Sequence, residues 1–495
     1  MARIRQIAAA PFVLLIASWL APPGAAAAAP AFENPPSVYS SGGVLQTTLE
    51  AGPSRITVGK RTVISNVFNG MYVPPVLRLQ QGDTLRIHQI NHMAEWEMNL
   101  HTHGLTTTPL LNADNVFVIV DPNETFDTEI PIPLEHPSGM FWYHPHVHGF
   151  VNNTISNGMA GALIIGDILA PFPELEGITE RVMILKDLKV RNGQVVDNPD
   201  PTGSTIRTIN GLYQPEIPIA PGELQFWRIG NLSANIFYKL EMQGIVFHVI
   251  AVDGNLQNQM TDRRELLIPP ATRIEALVRG PRRGRYRLMA KEFKTGKTGD
   301  HYPAQPMATL VSSGPRAPYV PYPSNFPPVP DLRRERVDVS RTVVFDDTDD
   351  PNVFVIDGNV YDVDRIDQTV QLGDLEEWTL QNASEEFHVF HIHQGDFQVV
   401  SIDGVPQPLV GYQDTVNLPV ATGDGPGEIV MRIKFDPPII VGEYVYHCHI
   451  VQHEDQGMMA NILVQDELAK VMQEAEPRDL IAEALTPATG NYWCR

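Results

Sequence analysis

Cysteine is scarce in this sequence, since only Cys448 and Cys494 occur among its 495 residues. Disulfide stapling is therefore not what stabilises the chain. Positive charge is scarce as well: 36 lysines and arginines stand against 58 aspartates and glutamates, and the formal net charge is −22. Nucleic acids and anionic membrane surfaces repel such a chain, which argues against both as partners.

Long apolar runs are also missing beyond the N-terminus. The one substantial run extends from Ile7 to Leu20, after Arg3 and Arg5 and before the small-residue stretch GAAAAAPA. At about 14 residues it is short for a bilayer span, and the arrangement is typical of a cleavable export signal. We therefore expect residues 1–30 to be an export signal, the mature protein to be periplasmic or secreted, and no stable membrane span to follow.

An internal repeat runs through the rest of the chain. A glycine followed by an acidic residue precedes an asparagine by nine residues at three places, which are Gly82 and Asn91, Gly222 and Asn231, and Gly373 and Asn382. Short runs rich in Val, Ile, Leu and aromatics surround each copy, a pattern typical of all-β sandwiches. We predict β-sandwich domains at 31–168, 169–314 and 336–466, a proline-rich linker at 315–335 and a short helical C-terminal tail at 467–495.

The segment HCHIVQHEDQGMM concentrates metal-binding side chains near the end of the third repeat. If YVYHCHI is a strand, Cys448 faces one side of it and His447 and His449 face the other, so one strand could serve two metal sites. With one more imidazole from elsewhere, Cys448, His453 and Met458 would form the ligand set of a blue-copper centre. A zinc site or a buried free cysteine is the alternative, but neither calls for the methionine or the flanking histidines.

Histidine pairs of the form His-x-His recur at equivalent places in the first and third repeats. They are His101/His103, His144/His146, His391/His393 and His447/His449, whereas the middle repeat has Leu240/Met242 and Met289/Lys291 there. On a strand each pair projects from one face, which suits several clustered metal ions better than the alternative of an exposed histidine-rich surface. We expect the first and third domains to share a metal cluster and the second to act as a spacer without ligands.

The motifs HTHG, WYHPHVHG, HVFHIHQG and HCHIVQHEDQGMM resemble those of the multicopper oxidases of the three-domain, laccase-like type. The resemblance covers essentially the whole mature chain and implies three cupredoxin-like (Greek-key β-sandwich) domains with four copper ions. It implies a type 1 copper held by His388, Cys448, His453 and axial Met458, and a type 2 copper held by His101 and His391. The type 3 pair would take His103, His144 and His449 on one ion and His146, His393 and His447 on the other.

Two carboxylates are expected to transfer protons or to orient metal ligands. Glu454 directly follows His453, and Asp114 lies thirteen residues past His101, where laccase-like chains place an acid near the cluster. The alternative for each is a solvated surface carboxylate. Cys448 is the third residue expected to act in the reaction, as the electron link through its two neighbouring histidines.

Three functions fit these observations. The first is one-electron oxidation of phenols or aromatic amines coupled to four-electron reduction of O2 to water, the second is oxidation of Fe(II), Mn(II) or Cu(I), and the third is a copper-binding scaffold without activity. The complete ligand set favours an enzyme. The 15 methionines are scattered, which disfavours a dedicated cuprous oxidase because thioethers gather Cu(I). A copper nitrite reductase would require neither the third module nor as many histidines. The expected partners are O2 and a small reducing substrate, and nothing requires more than a monomer.

Overall fold

The computed structural model of the protein describes residues 29–196 and 205–466. Nearly all of the predicted export signal and the whole predicted tail, with Cys494, lie outside the described residues. Within them the chain forms three β-sandwiches, so the prediction of an all-β fold with three cupredoxin-like domains is confirmed. No helix in these ranges is long and apolar enough to cross a bilayer.

The first sandwich packs a five-stranded sheet on a six-stranded sheet around a shared apolar core. In sheet order the five strands are Ser37–Tyr39, Val76–Leu79, Gly161–Ile165, Gly139–His144 and His101–His103. The six are Val190–Arg191, Gln194–Val195, Arg61–Phe68, Val44–Val58, Thr84–Asn91 and Thr125–Pro131. The first two of the six come after residue 168, so a hairpin from beyond the predicted first domain extends its sheet by pairing Gln194 with Ile64.

The second and third sandwiches repeat this pairing of sheets. The second has the strands Ile206–Ile209, Thr179–Leu188, Leu224–Asn231, Arg273–Arg279, Phe247–Val252 and Asn255–Arg263 in one sheet and Glu216–Ile219, Gln305–Ser312, Gly284–Lys291, Tyr238–Met242 and Glu265–Ile268 in the other, with a small hairpin of Phe293–Lys294 and His301–Tyr302. The third has Phe354–Ile356, Val339–Asp347, Leu375–Asn382, Gly427–Lys434, Phe397–Ile402 and Val405–Pro406, and then Ile366–Gln371, Met459–Gln465, Gly442–Cys448, His388–Ile392 and Thr415–Leu418. Short 3-10 turns lie at Pro173–Leu175, Leu332–Arg334 and Pro438–Ile440.

The repeated asparagine closes the same corner in each domain. Three fully buried asparagines end equivalent central strands, namely Asn91, Asn231 and Asn382. The Asn231 side chain donates to the backbone carbonyls of Ile236 and Ile268 at 2.7 and 3.0 Å and accepts from the N–H of Ser233 at 3.1 Å. One side chain thus satisfies several buried backbone groups, which explains why the residue recurs at a fixed spacing.

Two short helices, one from the first domain and one from the third, contact each other beside the histidine motifs. Val151–Asn157 follows HPHVHG, and Val451–Asp455 follows HCHI. The carboxylate of Asp455 accepts hydrogen bonds from the backbone N–H groups of Gly149 and Asn152 at 2.8 and 2.7 Å. N–H groups at a helix start have no partner within the helix and favour a negative charge. This contact fixes one histidine motif relative to the other.

Candidate metal centre

Eight histidines meet where the first and third domains face each other. In the first domain His101 lies opposite His144 on paired strands, and in the third His391 lies opposite His447. Because alternate residues of a strand share a face, the second histidine of each pair extends the same side. All eight are at most 2% exposed, and they are His101, His103, His144, His146, His391, His393, His447 and His449.

The imidazoles of the first and third domains contact one another across the domain boundary. His101 of the first domain stacks on His393 of the third, with ring centres 3.8 Å apart. Ring nitrogen atoms of His146, His393 and His447 all lie within 4.8 Å of one another. Nitrogen atoms that converge from two domains in this way are arranged as the ligands of clustered metal ions are.

The buried imidazoles are neutral and carry unpaired nitrogen atoms. Burial lowers the pKa of all eight, and that of His146 and of His447 falls to about 4. Among the described residues, seven of the rings have a buried nitrogen without a hydrogen-bond partner; they belong to His101, His103, His144, His146, His391, His393 and His449. A neutral imidazole with a free lone pair is the form that binds transition metals, and metal binding would satisfy these atoms.

A second group of candidate metal ligands surrounds Cys448, which lies on the strand Gly442–Cys448 and faces away from the neighbouring His447. The Sγ atom of Cys448 is 3.7 Å from Nδ1 of His388 and 3.9 Å from Nδ1 of His453. The backbone N–H of Val389 donates to this sulfur at 3.4 Å. Burial raises the pKa of the Cys448 thiol, so a bound cation would be needed to stabilise the thiolate. Phe354 stacks on the His453 ring at 4.0 Å.

The two adjacent methionines face different sides. Met459 pairs with His447 in the sheet, so its side chain lies on the imidazole side, where it lines a cavity together with His146. Met458 packs in the apolar core that contains Cys448, and both are 0% exposed. The backbone N–H of Cys448 donates to the carbonyl of Met458 at 3.0 Å, so Met458 lies next to the cysteine group.

Cys448 connects the two groups of ligands through the backbone. Its neighbours His447 and His449 both belong to the imidazole cluster, with ring centres 5.2 Å apart. Successive residues of a strand point to opposite faces, so the sulfur and the two imidazoles lie back to back. Only a few covalent bonds separate the two candidate centres.

Both predicted carboxylates are buried beside the imidazole cluster, so the alternative of surface carboxylates is wrong. Oε2 of Glu454 lies 3.0 Å from Nδ1 of His447, and Oδ1 of Asp114 lies 3.1 Å from Nδ1 of His101. Gln394 donates to Oδ2 of Asp114 at 2.8 Å. Burial raises the pKa of each carboxyl to about 7. Each can therefore hold or release a proton near neutral pH.

A cavity of about 580 Å³ borders the imidazole cluster at His146, and a second of the same volume reaches Gln394, which donates to Asp114. One is lined by Gln394 and Asp396, and the other by His146, His148 and Met459. Both have room for several water molecules. The cluster is thus buried but lies next to space that small molecules can occupy.

Three models of one protein family match this chain, at residues 50–168, 183–315 and 335–467, and each is described as multicopper oxidase. Together they match well over half of the chain. The chain belongs to the multicopper oxidase family. Copper, which this family implies, fits the residues present, because neutral imidazoles and a buried cysteine are ligands that copper favours.

Proteins that are similar to this chain have different described roles. A solved structure from Campylobacter jejuni, described as a metallo-oxidase, has a TM-score of 0.77 and 25% identity and covers 88% of this chain and 95% of its own. A laccase-like CueO from Ochrobactrum sp., described as active towards lignin model compounds, has a TM-score of 0.73 and 25% identity and covers 88% of this chain and 100% of its own. The Escherichia coli cell division protein FtsP is 24% identical over 437 residues, which are 84% of this chain and 88% of FtsP. Family membership therefore leaves the substrate open.

Three side chains at the centre were missed by the sequence analysis. Trp142 stacks on a cluster imidazole with ring centres 4.2 Å apart, and its place inside WYHPHVHG is a signal that could have identified it. Oδ1 of Asp347 lies 3.3 Å from Nε2 of His388, and Oδ1 of Asp414 lies 3.3 Å from Nε2 of His103. Neither aspartate belongs to a local pattern that would predict its position.

The neutral imidazoles predict that the copper-free protein is sensitive to acid. An unfolded histidine gains a proton near pH 6.5, whereas His449 stays neutral in the fold because burial lowers its pKa. Below that pH the unfolded state binds more protons, so the free energy of unfolding falls as the pH falls. We expect His449→Gln to make this fall shallower by about 1.4 kcal/mol per pH unit.

Denaturant unfolding of the copper-free protein at several pH values below neutrality measures this slope. His92→Gln is the control, because the His92 side chain is exposed. A slope in His449→Gln equal to that of the parent would contradict the neutral, buried state of this imidazole.

Proposed function

We propose that this protein is a laccase-like multicopper oxidase, which takes single electrons from phenols or aromatic amines and uses four of them to reduce O2 to water. The proposal is carried by one observation: a buried His2Cys group lies back to back with a cluster of eight neutral imidazoles, and Cys448 joins them. Such a reaction needs a site that accepts one electron at a time and a site that delivers four together, because partly reduced oxygen would otherwise escape.

The chain would hold four copper ions in these two groups. The type 1 ligands would be His388, Cys448, His453 and axial Met458, and the type 2 ligands His101 and His391. The type 3 ligands would be His103, His144 and His449 on one ion and His146, His393 and His447 on the other. When bound, copper would supply one-electron oxidation at the cysteine group and reduction of O2 at the imidazole cluster.

Side chains around the ligands would orient them and supply protons. Asp114 lies against Nδ1 of His101 and accepts from the backbone N–H of Thr102 at 2.8 Å, which leaves Nε2 of His101 as the ligand atom. Oε2 of Glu454 is 3.0 Å from Nδ1 of His447, so a proton on this carboxyl would be within reach of the cluster. Forming water from O2 consumes protons, and these two carboxyls are the groups that we propose deliver them.

Removal of either proton carrier should slow turnover without removing copper. In Glu454→Gln and in Asp114→Asn the side chain keeps its shape but cannot carry a proton, so we expect turnover at neutral pH to fall by about 10²-fold. Oxygen uptake at saturating donor measures the effect, with copper content determined in parallel. Parental turnover in both variants would show that neither carboxyl carries protons.

Replacement of the axial thioether should shift the type 1 reduction potential. Met458→Leu removes a weak donor, so we expect the potential to rise. Met459→Leu is the matched control, because this side chain lies on the other face of the strand, and its potential should match that of the parent. Redox titration of the blue absorption measures both, and a shift confined to Met459→Leu would reverse the assignment.

A metal ion is the second candidate for the reducing substrate. Oδ1 of Asp347 approaches Nε2 of His388 at 3.3 Å and has no hydrogen-bond partner among the described residues. Glu386, two residues before His388, is half-buried, and its partial burial raises its pKa to about 7. Carboxylate oxygens suit hard cations such as Mn(II), and an ion bound here would lie beside a type 1 ligand.

The rate of oxygen uptake by the copper-loaded protein distinguishes these functions. A phenol, Fe(II), Mn(II) and Cu(I) would each be offered as the donor in air. Fast oxidation of the phenol, with four donor molecules consumed for each O2, is the expected result. Metal-ion oxidation alone, with its rate lowered in Asp347→Asn, would select the second candidate. No oxygen uptake with any donor at full copper loading would refute the enzyme and favour a scaffold.

A further inference from the structure

Arg273 is a buried arginine at a point where all three domains meet. It begins the strand Arg273–Arg279 of the second domain and is 0% exposed. Its Nη1 and Nη2 atoms donate to Oδ1 and Oδ2 of Asp414 in the third domain at 2.8 and 2.6 Å. Its Nε atom donates to the carbonyl of Met140 in the first domain at 3.1 Å. A bidentate arginine–carboxylate pair fixes both the distance and the angle between the two groups. The guanidinium of Arg273 therefore holds contacts between all three domains.

Asp414 in turn contacts two imidazoles of the cluster. Nδ1 of His391 lies 2.9 Å from the backbone carbonyl of Asp414, and Nε2 of His103 lies 3.3 Å from its carboxylate. The other ring nitrogen of each, Nε2 of His391 and Nδ1 of His103, has no partner among the described residues. Outer contacts of this kind decide which nitrogen binds a metal and how the ring is oriented. The two rings stack 3.7 Å apart, so the position of one constrains the other.

The surroundings explain why this position holds an arginine. Asp253, like Asp414, is a fully buried carboxylate, and its Oδ1 lies 3.5 Å from Nη1 of Arg273. The carboxylates of Asp253 and Asp414 both lie against the guanidinium of Arg273. Without the positive charge of the arginine, two buried carboxylates at one site would repel each other. A Cβ at Gly104, the last residue of HTHG, would lie 2.5 Å from both Nη2 of the arginine and Oδ2 of Asp414. The glycine of that motif thus leaves room for the pair.

We propose that Arg273 is a positioning residue for the type 2 side of the copper cluster, acting through Asp414 on His391 and His103. The proposal rests on the proposed function, because that function assigns the type 2 copper to His391. It gives the second domain a part in assembling the cluster, beyond the spacer role that its missing ligands suggest.

Three variants separate positioning from general stability. Arg273→Gln removes the positive charge, and Arg273→Lys keeps the charge but cannot form the bidentate hydrogen bonds. Arg228→Gln is the matched control: Arg228 is 3% exposed, lies on the neighbouring strand and pairs with the buried Glu275. Its side-chain bonds run to Glu180 and Glu275 rather than to a cluster histidine. Loss of either arginine should destabilise the copper-free protein, but only loss of Arg273 should affect copper.

Copper titration into the copper-free proteins measures the effect. The type 2 and type 1 ions are followed separately by their electron paramagnetic resonance signals, and the type 1 ion also by its blue absorption. We expect both Arg273 variants to bind type 2 copper about tenfold more weakly than the parent, with type 1 binding unchanged. We expect Arg228→Gln to bind both ions as the parent does.

Parental type 2 affinity in Arg273→Lys would overturn the proposal, and this test holds even if Arg273→Gln does not fold. An equal loss of type 2 copper in Arg228→Gln would overturn it too, because the effect would then be one of stability. A parent protein that binds no type 2 copper would instead refute the proposed function on which the inference rests.

Discussion

The burial of eight neutral imidazoles between two domains is the constraint on which the rest of this structure depends. A buried polar group destabilises the fold unless its polar atoms are paired. Stacking, as between His101 and His393, orders the rings, but many ring nitrogens have no partner among the described residues. A metal that binds only the folded state would stabilise it and would hold the first domain against the third. The candidate catalytic centre and the domain interface are therefore the same residues.

Contacts formed by the protein alone hold the histidine motifs in place around this cluster. Asp455 of the third domain accepts from the start of a helix in the first. Gln394 of the third domain donates to Asp114 of the first, and Arg273 brings in the second. None of these residues is an expected copper ligand. They allow the histidine motifs to be positioned by the protein itself, before any metal binds.

The clustering of the histidines and of Cys448 could be predicted from the sequence because their spacing is local. Backbone alternation separates Cys448 from its histidine neighbours, and at the start of the next strand it separates Met458 from Met459. Arg273 and Asp414 could not be predicted, since they lie 141 residues apart and meet only when three domains pack together. The missing histidines of the second domain led to the expectation that it supplies no ligands, but they carried no information on the contacts that Arg273 makes with the neighbouring domains. Asp347, which lies beside His388, could not be predicted for the same reason, because the two residues are far apart in the sequence.

The central claim is that one chain builds two separate copper centres, joined through Cys448. A crystal structure of the copper-loaded protein, with anomalous scattering recorded at the copper edge, tests it most directly. We predict one peak between Cys448, His388 and His453, and three peaks within the cluster of eight imidazoles. Copper at the cysteine group with an empty imidazole cluster, or copper bound only at the surface, would contradict the account.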